Sequence, residues 1–191
     1  MSATEPKASP LIVEDPALLQ QVLVPYKPHC RYLLRAHLEH EGALPPESRS
    51  RAVRAAAVGE FSIPESCYIA DTGHFNAVEF NICYNQLAYY LLATCAYRQL
   101  EPLASWSIEE YRRRQLSDFL IVQFSSSFRR QMKSAHFTGR VEISKVMSRG
   151  KSMFLKTYCR FEDDHGGMSE GEPLIAITGE ADAPPAASPG A

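Results

Sequence analysis

The pattern of apolar and polar positions divides this chain into a few regular stretches. Residues 16–24, PALLQQVLV, carry apolar positions at helical spacing, with Asp15 as N-cap and Pro25 and Pro28 closing the run. A first strand is predicted over 30–38, followed by a Pro-, Glu- and Ser-rich loop over 41–50. Val53, Ala55, Ala57, Gly59, Phe61 and Ile63 alternate with Arg54, Ala56, Val58, Glu60 and Ser62. That period of two predicts a second strand, and its small inner residues allow a helix to approach closely.

A loop over 64–73 leads into residues 74–97, which are almost wholly apolar. This predicts a long helix buried on every side, because an apolar surface all round leaves no face for solvent. Ser107-Ile108-Glu109-Glu110 forms a capping box, so a short helix runs to about Leu116. The period then changes. Strands are predicted over 119–131, 137–146, 153–162 and 172–181, with turns at 148–151 and 163–167. The order gives an α+β domain over 16–181: about six antiparallel strands wrapped around one central helix. Residues 1–15 are expected to be a flexible lead-in, and DAPPAASPGA at 182–191 a low-complexity tail. A half-covered sheet of this kind calls for a partner copy, so at least a homodimer is expected, with a hexamer as the larger alternative.

Composition narrows the function. The 191 residues are 45% apolar with a net charge of −2, ordinary for a full core and without general attraction to nucleic acid or anionic membrane. No apolar run is long enough to span a bilayer, and MSATEPKASP lacks a signal-peptide layout. Five scattered cysteines show no CxxC spacing, so they read as free thiols in a reducing cytoplasm, with no disulfide framework and no metal site. There is no GxSxG, P-loop, GxGxxG or HExxH, which argues against a serine hydrolase, a nucleotide-dependent enzyme and a zinc protease. No cofactor is expected.

The chemistry is concentrated where the long helix begins. A buried helix start carrying Gly73, His74 and Asn76 would aim backbone N–H groups at a dry site, which suits an oxyanion.

The same region resembles the FcoT-like thioesterase family of hot-dog proteins. The residues that carry the likeness are Glu65-Ser66-Cys67-Tyr68-Ile69, Thr72-Gly73-His74-Phe75-Asn76-Ala77-Val78-Glu79 and Asn85-Gln86-Leu87-Ala88-Tyr89. Pro25-Tyr26, Cys30-Arg31-Tyr32-Leu33, Trp106-Ser107-Ile108, Gln115-Leu116-Ser117 and Ser126-Ser127-Phe128-Arg129 extend it over roughly 18–180. The resemblance implies cleavage of long-chain acyl thioesters at a site lined by two tyrosines and an asparagine, which fall on Tyr26, Tyr68 and Asn76. For one branch it implies more: addition of glycine to the β-carbon of an α,β-unsaturated acyl group on acyl carrier protein, then hydrolysis to an N-carboxymethyl-3-amino acid. A simple long-chain acyl-CoA thioesterase and a non-catalytic acyl-binding protein are the alternatives.

Within that frame each residue has a role and a plainer rival. His74 suits a general base, since free imidazole titrates near about 6.5; it also suits a helix cap. Gly73 and His74 offer N–H donors, Asn76 can position water or carbonyl, and the phenols of Tyr26 and Tyr68 can donate hydrogen bonds. Tyr68 could equally be a core aromatic. Arg31, Arg35 and Arg129 are candidates to anchor the glycine carboxylate, because guanidinium pairs with carboxylate in two parallel hydrogen bonds. Glu79 is a further base or His74 partner, or simply an ion-pair residue. Phe80 and Tyr84 could line an acyl tunnel or fill the core. The basic runs Arg112-Arg113-Arg114 and Arg129-Arg130 with Lys133 read as a solvated face, or as a dock for an acidic carrier protein or the phosphates of coenzyme A.

Overall fold

The computed structural model describes residues 13–39, 55–70 and 73–179. The expectations placed on 1–12, 41–50, Val53, Arg54, Thr72 and the tail from 182 lie outside them. Three α-helices occur among the described residues: α1 (Pro16–Leu23), α2 (Ala77–Tyr97) and α3 (Ile108–Arg114). The strands are β1 (Val13–Glu14), β2 (Leu33–Glu39), β3 (Ala55–Phe61), β4 (Phe119–Gln123), β5 (Ser126–Arg130), β6 (Phe137–Arg149), β7 (Ser152–Glu162), β8 (Met168–Gly171) and β9 (Leu174–Ile177).

All pairings are antiparallel. The sheet runs β1-β2-β3-β6-β7-β8-β5, and β7 also pairs with β9, which pairs with β4. The long helix α2 packs against β2, β3 and β6, with α1 beside it. This is the hot-dog arrangement of an antiparallel sheet around one central helix.

Several boundaries depart from the sequence expectation, each for a local reason. The single strand expected over 119–131 is two strands, because its halves serve different partners: β4 pairs with β9 and β5 with β8. Glu172 and Pro173 separate those partners, and Pro173 has no N–H for a ladder. The same break divides the strand expected over 172–181 and leaves β9 at Leu174–Ile177. Nine strands occur among the described residues, against about six expected. The first strand starts at Leu33 because Pro28–Cys30 forms a 3-10 turn. Val13 and Glu14, expected in the flexible lead-in, pair with Leu38 and His37. Ser107 caps α3 as expected, accepting from the Glu110 N–H, while the Glu110 carboxylate accepts from Arg114 and α3 ends there.

The core is aromatic at its centre. Phe75 lies within 4.8–6.4 Å of the Phe80, Phe128, Phe137 and Phe161 rings. Phe61 stacks on Phe137 at 5.2 Å. A Cβ at Gly139 would lie 2.5 Å from the Phe161 ring, so this glycine makes room for the cluster. Small residues of β3 do face inward as expected. Ala56, on the other face, is buried as well; its neighbours Glu39 and Glu142 are tied together there by Arg140. No described helix is long and apolar enough to cross a membrane.

Candidate active site at the start of the central helix

The segment 62–76 joins β3 to α2 and is fastened from two sides. Ile63 N–H donates to the Ser134 carbonyl at 2.9 Å, and Phe75 N–H to the Met132 carbonyl at 3.0 Å. On the other side Ser62 N–H donates to the Tyr32 carbonyl, and Cys67 N–H to the Tyr32 hydroxyl at 2.9 Å. Burial, together with the Cys67 side chain beside it, pushes the Tyr32 phenol upward, so it stays protonated. The 131–133 stretch is in turn clamped by Asp163. Oδ2 accepts from Lys133 N–H at 2.7 Å, and Oδ1 from His165 and Gly167 N–H at 2.9 and 2.7 Å. Burial raises the Asp163 carboxyl, but these backbone donors outweigh it and hold it below the ordinary range.

Helix α2 begins at Ala77 rather than His74, because Asn76 is the N-cap. Its backbone is extended, and Oδ1 accepts from Val78 and Glu79 N–H at 3.0 and 3.2 Å. The cap takes the Val78 and Glu79 N–H groups, while Gly73 and His74, whose N–H groups the sequence suggested for an oxyanion, precede the helix. Gly73 adopts φ +69°, a left-handed conformation suited to glycine. The chain turns there between two cavities. One, of about 420 Å³, is lined by Ser66, Gly73, Glu79 and Lys133 among others. The second, of about 510 Å³, is lined by His74, Phe75, Asn76, Ala77, Phe128 and Gln131.

Glu79 is the unusual member. It is 2% exposed, and its Oε2 has no hydrogen-bond partner among the described residues. Ser66 Oγ is in the same condition. Both residues line the smaller cavity. Native structures seldom leave a buried polar atom unmatched, and a ligand group is one reason they do.

The structure thus brings Gly73, His74, Asn76 and Glu79 together around one helix start. The remaining candidates lie elsewhere. Tyr68 is 50% exposed and lines neither cavity. Tyr26 packs on the Cys83 and Tyr89 side of α2, where burial pushes its phenol upward. Arg31 donates from Nε and Nη2 to the carbonyls of Tyr26 and Val24. Arg35 is exposed on β2 opposite Glu60. Arg129 pairs with Glu170 at 2.7 Å on β5. Phe80 and Tyr84 are fully buried core, Tyr84 hydroxyl meeting Thr157 Oγ1 at 2.8 Å. In the basic run 112–114, Arg114 is turned inward: it pairs with Glu110 and Asp118, and lies 4.0 Å over the Trp106 ring. Reasoning from sequence did not single out Tyr32 or Ser66. Lys133 carried no local signal beyond its place in a basic run.

Residues 21–177 match the FcoT-like thioesterase domain. The chain belongs to the FcoT-like thioesterase family. It is 45% identical over 170 residues to the (2E)-enoyl-[ACP] glycyltransferase of Streptomyces coeruleorubidus, covering 85% of this chain and 96% of that one. It is 36% identical over 182 residues to the protein of the same name from Mycobacterium marinum, covering 92% and 91%. Among solved structures, SAV2348 of Staphylococcus aureus in complex with CoA has a TM-score of 0.42 at 12% identity, over 66% of this chain and 70% of that one, too distant to bear on function.

For this FcoT-like chain, the site offers a buried carboxylate in one cavity and an imidazole with a side-chain amide in the next. The first can exchange a proton with an amine, and the second can act on water. Asn76 spends its carbonyl oxygen on the cap, so any part it takes at a substrate runs through its Nδ2 donors.

Proposed function

We propose that this protein adds glycine to the β-carbon of a 2-enoyl thioester on an acyl carrier protein, then releases the product by hydrolysis. Two relatives covered over nine-tenths of their length carry the name (2E)-enoyl-[ACP] glycyltransferase. The structural observation that carries the reading is Glu79, a buried carboxylate with an unmatched oxygen in a cavity at the helix start.

An amine reaches the site as an ammonium ion and must lose a proton before it can attack. Glu79 accepts that proton. The nitrogen lone pair then forms the bond to the β-carbon, and the π electrons move onto the thioester oxygen as an enolate. The protonated Glu79 returns the proton to the α-carbon. The net change is N–H added across C=C, with the carboxylate restored. The thioester sits in the larger cavity, its acyl chain against Phe75 and Phe128. His74 then activates water for hydrolysis, with Asn76 and the turn at Gly73 positioning the carbonyl. The protein works as a homo-oligomer in a reducing cytoplasm. Exposed Val78 and half-buried Ile82 and Tyr89 along α2, together with five free cysteines, support that assignment.

The test is a single incubation with a 2-enoyl thioester of carrier protein, with and without glycine, followed by mass analysis. Free acid heavier by one glycine supports the proposal. Free enoic acid regardless of glycine would mark a plain thioesterase. No turnover would leave an acyl-binding role.

A further inference from the structure

We infer that the smaller cavity is an amino acid subsite, and that Lys133, rather than any of the arginines, takes the carboxylate of glycine. This rests on the glycine-addition reading above. Glycine is a zwitterion at neutral pH, with its two charges separated by one carbon. A complementary site needs an anionic acceptor and a cation on one small hollow. The cavity of about 420 Å³ supplies that pair, with exposed Glu65 as a further carboxylate in its lining. Glu79 provides an unmatched, buried carboxylate oxygen. Lys133 is the one cationic residue among the described residues that line it. Ser66 Oγ, also unmatched, can accept from the ammonium or donate to the carboxylate.

The backbone fixes Lys133 at this place. Its neighbours Met132 and Ser134 accept from Phe75 and Ile63, near the two ends of the loop that carries Ser66 and Gly73. Its own N–H is held by Asp163. Lys133 therefore sits between two fastenings of the site loop, on a stem long enough to reach across the mouth. The arginines are engaged differently. Arg31 holds two carbonyls, Arg129 holds Glu170, and neither lines the cavity. Arg35 does not line it either.

The chemistry on nitrogen is unchanged: Glu79 takes one proton from the ammonium and returns it to the α-carbon. Lys133 forms no covalent bond; it sets which amine is accepted.

The test compares glycine with glycinamide, which carries the amine without the carboxylate, on the full-length protein and a 2-enoyl carrier-protein thioester. Intrinsic differences between the two amines cancel when variants are compared. A charge-assisted hydrogen bond contributes about 1.5–3 kcal/mol, roughly 10- to 150-fold. The kcat/KM ratio of glycine over glycinamide should fall by about that factor in Lys133→Gln, with the loss mainly in KM for glycine. Lys133→Arg should recover most of it. Lys133 is exposed, so both variants should fold, and thermal melting checks this. An unchanged ratio, or equal loss for both amines, overturns the subsite. A wild-type enzyme that adds neither amine overturns the glycine reading itself, which is a different result.

Discussion

The side chain of Gln86, midway along α2, holds the backbone of Tyr32: Oε1 accepts from Tyr32 N–H at 3.0 Å. The same oxygen accepts from Leu33 N–H at 2.9 Å, while Nε2 donates to the Cys30 carbonyl at 2.6 Å. Tyr32 in turn offers its hydroxyl to Cys67 N–H in the site loop. One polar side chain midway along this largely apolar helix thus reaches the site through a single tyrosine.

Replacing Gln86 by Leu should be costly. It strands two donors and one acceptor in the interior, each costing about 1–3 kcal/mol. A loss of about 3 kcal/mol or more is expected in urea denaturation. A loss below about 1 kcal/mol would show that water or rearrangement replaces these bonds.

Two variants should separate the halves of the reaction. Glu79→Gln keeps the shape but cannot take the amine proton, so glycine addition should slow by roughly 10²–10⁴-fold. His74→Ala should slow hydrolysis by a similar factor. Rates of adduct formation and acid release, read separately by mass, check both. Near wild-type hydrolysis by folded His74→Ala would remove His74 as the base.

Asn76 has a structural duty and a proposed catalytic one, and substitution can divide them. Asp is as good an N-cap as Asn, so Asn76→Asp should keep the melting temperature, whereas Asn76→Ala should lose about 1 kcal/mol. Both lack the Nδ2 donors and should turn over slowly. An Asp variant with full activity would confine Asn76 to capping.

The Asp163 clamp should show itself in acid. Its carboxyl titrates below its ordinary 3.8 in the folded protein. The stability it contributes is therefore present above that value and lost as pH falls below it. Asp163→Asn places an amide donor against a backbone donor, costing about 1–3 kcal/mol at neutral pH. The gap between wild type and variant should narrow as pH falls below the ordinary 3.8. A gap that stays constant would mean the carboxylate charge is not what holds the segment.

Much of the frame was legible from local pattern. The apolar run announced the long helix, which is buried along most of its length but not on every side, Val78 being 43% exposed, and alternating small residues announced β3. Ser107 and Asp15 announced their caps, which form as read. Features set by distant pairings were not legible. The fork at Pro173 depends on which strands β4 and β5 meet. Arg31 looked available because nothing local shows that the carbonyls of Val24 and Tyr26 fold back onto it. The helix start was misplaced by three residues because His, like Asn, is polar, and the geometry of Asn76 decided between them. Tyr32 reads as one more strand residue until its hydroxyl is seen beneath the loop.

The turn at Gly73 sends adjacent residues into separate hollows. Amine and water accordingly need not compete for one corner, and each nucleophile can be tuned by its own wall. Under the roles proposed above, losing the acid at position 79 while keeping the imidazole would forfeit nitrogen chemistry and leave an ordinary deacylase.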